Sequence, residues 1–125
     1  MVLTGAPLVA FLATTDAARA KGFYEGTLGL TLIEETPFAL TFDCGGTTLR
    51  VTPVAHLAPQ PFTVAGWRVD DIARSVGELK ARGVAMQRYE GVDQDDLGVW
   101  RSPSGARIAW FQDPDGNTLS LTQVS

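Results

Sequence analysis

Apolar residues along this chain recur first with the period of a strand, then of a helix, then of strands again, and that order occurs twice. Residues 8–13 form a short apolar run ahead of Asp16, a residue type suited to capping a helix. From Ala17 the pattern turns helical through Phe23 and Tyr24 and closes at Gly26 or Gly29. Residues 30–35, 38–43 and 48–53 read as strands, with Cys44-Gly45-Gly46-Thr47 as the turn between the last two. A stretch from Pro53 to Pro61 holds three prolines and the only histidine, and reads as a linker. The plan then restarts: a strand over 62–69, a cap at Asp70 or Asp71, and a helix over 72–82 stopped by Gly83. A short strand over 85–89 and a loop rich in Gly and Asp follow, the acidic run 93–96 reading as solvated. Strands 107–112 and 118–123 close the chain as a hairpin across Asp113-Pro114-Asp115-Gly116-Asn117.

The two halves also match residue by residue. A shift of 55 positions lays Val9-Ala10 on Val64-Ala65, Asp16 on Asp71, Ala18-Arg19 on Ala73-Arg74 and Gly22 on Gly77. Further along, Phe42 falls on Phe111, and Thr48-Leu49-x-Val51-Thr52 on Thr118-Leu119-x-Leu121-Thr122. A repeat of this length implies two similar βαβββ units about a pseudo-two-fold axis, with the functional site expected between them. The expected organisation is one domain, 1–125, made of a first module (1–53), a linker (54–61) and a second module (62–125). The fold class is α+β.

Period-2 alternation sorts the strand faces. Leu49, Val51, Leu119 and Leu121 are expected beneath the helices, with Leu40, Phe42, Ala109 and Phe111 beside them and Trp67 in the core. The other face is expected to carry Val9, Phe11, Ala13, Thr41, Thr48, Arg50, Thr52, Val64, Gly66, Arg68, Ile108, Trp110, Thr118, Ser120 and Thr122. One face is oily, and the other mixes arginines with large aromatics.

Composition changes this picture only by exclusion. Net charge is −4 and the isoelectric point about 4.8, with no cluster of Lys or Arg, which argues against binding nucleic acid or an anionic membrane. Nothing is long and apolar enough to span a bilayer. Cys44 is the single cysteine, so no internal disulfide forms, in keeping with a reducing, cytoplasmic setting. The apolar run near the N-terminus lacks a preceding Lys or Arg and reads as a strand, not a signal.

The order Asp16, Phe23-Tyr24, Leu28-Gly29-Leu30, Val69-Asp70-Asp71-Ile72 and Asp113-Pro114-Asp115-Gly116-Asn117 resembles the vicinal oxygen chelate superfamily of glyoxalases, bleomycin-resistance proteins and dioxygenases. The resemblance implies two βαβββ modules curled into an open cup-shaped sheet, with ligand on the inner face and often a second subunit walling it. It places the family's metal ligands at Val9, Arg50, Val64 and Ser120. Two alkyl groups, a guanidinium and a hydroxyl make a poor divalent-metal site, so neither a metal nor another cofactor is expected.

No His lies on the expected cup face, and the acidic residue nearest it is Asp43 at the margin, so no catalytic residue is assigned there; Tyr89, Glu90 and Asp95 in the long loop are within conceivable reach. Arg50 is read either as an anion anchor or as the partner of Asp43 or Glu34 in a salt bridge. Arg68 is read first as a solvated strand residue and second as a ligand contact. Phe11 and Trp110 suit a flat ligand or a dimer interface equally, and Trp100 a lid or simple packing. His56 and Cys44 carry no role. The expected protein is a metal-independent small-molecule binder, homodimeric, holding a planar or anionic ligand on Val9, Phe11, Thr41, Arg50, Thr52, Val64, Arg68, Trp100, Trp110 and Ser120. The alternative is a glyoxalase-like lyase or isomerase, or a dioxygenase; a third is a structural or partner-binding domain whose cup is filled by its own side chains.

Overall fold

The computed structural model describes residues 2–125. The chain divides into two compact units, Met1–Leu57 and Ala58–Ser125. In the first, β1 (Val9–Thr14) leads into α1 (Ala17–Lys21), then β2 (Thr31–Glu35), β3 (Leu40–Cys44) and β4 (Thr47–Pro53). In the second, β5 (Thr63–Arg68) leads into α2 (Ile72–Ala81), then β6 (Trp100–Arg101), β7 (Arg107–Gln112) and β8 (Thr118–Gln123). The sheet orders are β1-β4-β3-β2 and β5-β8-β7-β6. In each, the first strand runs parallel to the last and the other pairs are antiparallel. Both sheets are open, and the sequence repeat is a repeat of topology.

Each helix starts on the aspartate that the repeat aligns. Asp16 Oδ1 accepts the Arg19 N–H at 3.0 Å, and Asp71 Oδ1 accepts that of Arg74 at 3.1 Å. Of the two adjacent candidates, Asp71 is therefore the cap. Gln123, at the end of β8, accepts the Ile72 N–H at 2.9 Å and ties the last strand to the start of α2. The first helix departs from the expected form: after Lys21 it widens into a π-helical segment, Gly22–Thr27, with Leu28 N–H donating to Phe23 C=O at 2.9 Å. Gly29, at φ +76°, then turns the chain into β2, a conformation that needs no Cβ.

The cores follow the expected alternation. Tyr24, Leu40, Phe42, Leu49 and Val51 are buried in the first unit, and Ile72, Val76, Ala109, Phe111, Leu119 and Leu121 in the second. Tyr24 meets Phe42 at 5.9 Å between ring centroids. Helix α1 packs on β4, and α2 on β7 and β8. Trp67 shares the helix-side face of β5 with Ala65 yet is only half-buried, because β5 is an edge strand with a single neighbour.

The chief correction concerns the segment before β7. No strand forms over 85–89; that stretch meets β7 through a bridge, Met86 to Phe111, and a hydrogen bond from Gln87 N–H to Trp110 C=O at 2.7 Å. The edge strand that completes the repeat is β6, in the stretch read as a lid, with Trp100 and Arg101 paired to Ile108 and Arg107. Two short pieces therefore share the free edge of β7. Gln94 fixes the excursion between them, donating to the carbonyls of Gln87 (3.0 Å) and Gly98 (2.8 Å) and accepting the Tyr89 N–H (2.8 Å). Asp95 Oδ1 accepts from Leu97 and Val99, both at 2.9 Å, so the acidic run is a hydrogen-bonded loop.

The Asp113 carboxylate plays the same part in the β7–β8 turn. Buried, it accepts the N–H groups of Asp115 (3.0 Å) and Asn117 (2.9 Å) and the Asn117 side-chain amide (2.8 Å). Replacing Asp71 by Ala should cost about 1 kcal/mol by loss of the cap, read as a lowered urea midpoint with an unchanged m-value.

Candidate functional site

Strand pairing places the residues of the uncovered faces in rows. In the first unit one row runs Phe11, Arg50, Thr41, Glu34 across β1, β4, β3 and β2. The next runs Val9, Thr48, Asp43, Thr31. Phe11 is 63% exposed and Val9 42%, large fractions for apolar side chains in a strand. Thr41 and Thr52 are half-buried and Arg50 is exposed.

Exposure settles one expectation about Arg50 and removes another. No ion pair joins it to Asp43 or Glu34 among the described residues, and Asp43 instead accepts the Gly46 N–H of its own hairpin at 3.1 Å. Nor is Arg50 a buried charge in need of compensation, because water solvates it. It is a free cation flanked in its row by an aromatic ring and a hydroxyl.

In the second unit the rows are Gly66, Ser120, Trp110 and Arg68, Thr122, Ile108, Trp100. Here the face covers itself. Trp110 stands 5.4 Å from Tyr89, edge to face, and 6.2 Å from Trp100 at a tilt of 31°. Ser120 and Thr118, expected on an open surface, are 8% and 6% exposed. Small side chains between Trp110 and β5 leave little to reach solvent. A Cβ built on Gly66 would lie 2.4 Å from Ser120 Oγ and 3.0 Å from its carbonyl oxygen, so that position admits only glycine without rearrangement. Arg68 is exposed and Val64, beside a register shift in β5, is 37% exposed.

Trp100 is held in β6 instead of a mobile lid, and Tyr89 completes its aromatic group. Alternation had already placed Trp110 correctly.

Two duplicated βαβββ units, each with one face under a helix and one face free, define a class of small α+β binding and catalytic domains. The family model described as the Glyoxalase/Bleomycin resistance protein/Dioxygenase superfamily matches residues 7–121, and the chain belongs to that superfamily. No curated protein matches it. Among solved structures it is similar to TnmS3, an antibiotic binding protein from Streptomyces sp. CB03234, at 27% identity and TM-score 0.74, over 95% of each chain. It is similar to a lactoylglutathione lyase from Agrobacterium tumefaciens at 19% identity and TM-score 0.74, over 94% of this chain and 92% of that one. A superfamily member from Sphaerobacter thermophilus DSM 20745 aligns at 23% identity and TM-score 0.75, over 94% of this chain and 95% of its own.

The residues onto which the resemblance carries the family's metal positions are, taken one by one, not ligands suited to a divalent cation. Val9 and Val64 offer no donor atom, Arg50 brings a positive charge into solvent, and Ser120 offers one neutral hydroxyl against Gly66. Among the described residues no three of His, Cys, Asp and Glu stand together as a metal site. Replacing Gly66 by Ala should destabilise the protein by about 1–3 kcal/mol through overpacking. Ser120→Ala in the same chain should recover part of that loss, and strict additivity in denaturation midpoints would show that the two positions do not touch.

Proposed function

We propose that this protein is a metal-independent small-molecule binder of the glyoxalase/bleomycin-resistance type, homodimeric and cytoplasmic, that holds a planar or anionic ligand on its uncovered sheet faces. The observation that carries this reading is Arg50: an exposed guanidinium with no partner among the described residues, in one row with Phe11 and Thr41. A carboxylate or phenolate meeting that fork gains a charge-assisted hydrogen bond, worth about 1.5–3 kcal/mol. The adjacent ring supplies apolar area for the flat part of the same molecule. Val9 and Thr52 extend the contact in the first unit; Val64, Arg68, Trp100, Trp110 and Ser120 are the contacts proposed for the second. Likeness to an antibiotic binding protein at 27% identity supports a binding role over a catalytic one.

A homodimer is proposed because Phe11 and Val9 leave apolar surface on a sheet face, which a soluble protein ordinarily covers with ligand or partner. The enzymatic alternative, a lyase, isomerase or dioxygenase, rests on superfamily membership, and a shared fold does not fix a reaction.

Arg50→Ala should weaken binding of a planar aromatic carboxylate such as 2-naphthoate at least tenfold while circular dichroism and the melting transition stay as in the parent. Unchanged affinity would remove Arg50 from the site. Native mass spectrometry should show a dimer without stoichiometric metal. A bound metal ion, with an activity lost on chelation, would instead establish the enzyme.

A further inference from the structure

At one end of the second unit's uncovered face lies a cavity of about 480 Å³ that none of the residues discussed above fills. Its polar lining is Gln60, Gln87, Gln112, Thr118 and the Tyr89 side chain. Pairing explains why these meet. Gln112 and Thr118 are directly opposed across β7 and β8, one step along the same face from Trp110 and Ser120. Gln87 is pinned beside them by its own backbone, whose N–H donates to Trp110 C=O (2.7 Å) and whose C=O accepts from Gln94 (3.0 Å). Tyr89 is held by its N–H to Gln94 (2.8 Å) and by the edge contact of its ring with Trp110.

The remaining wall is stiff. Gln60 stands between Pro59 and Pro61, so its backbone is confined to extended conformations. Pro59 in turn rests on Gly116, where a Cβ would come within 3.2 Å of the proline ring. The carboxamide of Gln60 is thus presented from a short, preordered segment.

Chemically this cavity differs from the Arg50 face. No lining residue carries a charge, so an anion finds no cation there and a cation no carboxylate. None of the three glutamine carboxamides takes a partner among the described residues, and each offers both donors and an acceptor. Vicinal hydroxyl groups, each able to donate and accept at once, match such amides better than a group of one polarity does. The Tyr89 ring and the proline methylenes supply the apolar surface that the C–H face of a pyranose can cover.

The geometry points to a subsite for a neutral, polyhydroxylated group, a sugar ring, lined by Gln60, Gln87, Gln112, Thr118 and Tyr89. It extends the proposed binding function and rests on it only in treating the protein as a small-molecule binder, since the subsite uses no residue of the Arg50 row. The ligand class it implies is a neutral glycoside.

The test is a ¹⁵N-¹H titration of the intact protein with two neutral probes, methyl β-D-glucopyranoside and methyl α-D-mannopyranoside, with cyclohexanol as an apolar control. At least one glycoside should shift the side-chain amide signals of Gln60, Gln87 and Gln112 saturably in the millimolar range, and cyclohexanol should not. Gln112→Ala and Tyr89→Ala, both at exposed positions, should each weaken that binding at least threefold in folded protein. Absence of shifts with both glycosides, equal shifts with cyclohexanol, or glycoside shifts that survive both substitutions would overturn the subsite. Binding of 2-naphthoate, measured in parallel, reports on the Arg50 face alone, so failure of one reading is distinguishable from failure of the other.

Discussion

The parallel pairing of first and last strand is the constraint on which each unit depends. Parallel neighbours cannot be joined by a tight turn, so the chain between them must cross over the sheet. In this protein the crossover opens with a helix, which covers one face and leaves the other bare. Asp16 and Asp71 start those helices at the same place in each unit, and Gln123 fastens the second one to the strand it must cover. Because a sheet alternates its side chains, every residue that escapes the helix side is delivered to one uncovered face. The functional surface is thus the necessary remainder of the way the core is built.

Much of this was legible in the chain because alternation and capping are local physics. Phe42, Leu49 and Val51, and their counterparts Phe111, Leu119 and Leu121, are buried as their period requires. Phe11, Arg50 and Thr41 lie in one row because parity fixes their face and the hairpin Asp43 to Thr48 fixes their register. What escaped sequence reasoning was set by longer-range bonds. The edge of β7 is divided between Met86-Gln87 and Trp100-Arg101 through the side chain of Gln94, and a glutamine gives no warning of that role. The burial of Ser120 likewise depends on neighbours from three segments, not on its own polarity.

Duplication kept the scaffold while the two faces diverged. In the first unit the central position of the last strand is Arg50, exposed and beside a bare phenyl ring. In the second it is Ser120, hidden between Gly66 and a tryptophan that itself leans on two further aromatic rings. One face offers charge, the other shape and neutral polarity.

Because Arg50 is exposed, its charge does not burden the fold. A cluster of carboxylates and imidazoles arranged for a metal repels itself until the ion arrives, so such a site ties folding to metal. A lone guanidinium exposed to solvent carries no such penalty. A ligand that displaced water from it would cost desolvation, which the charge-assisted hydrogen bonds of a bidentate anion would offset. An uncharged flat molecule would have to strip the guanidinium without replacing its hydrogen bonds, so Arg50 rejects as well as attracts. A ligand that met this face would therefore have to bring an acceptor to the guanidinium along with a surface for Phe11.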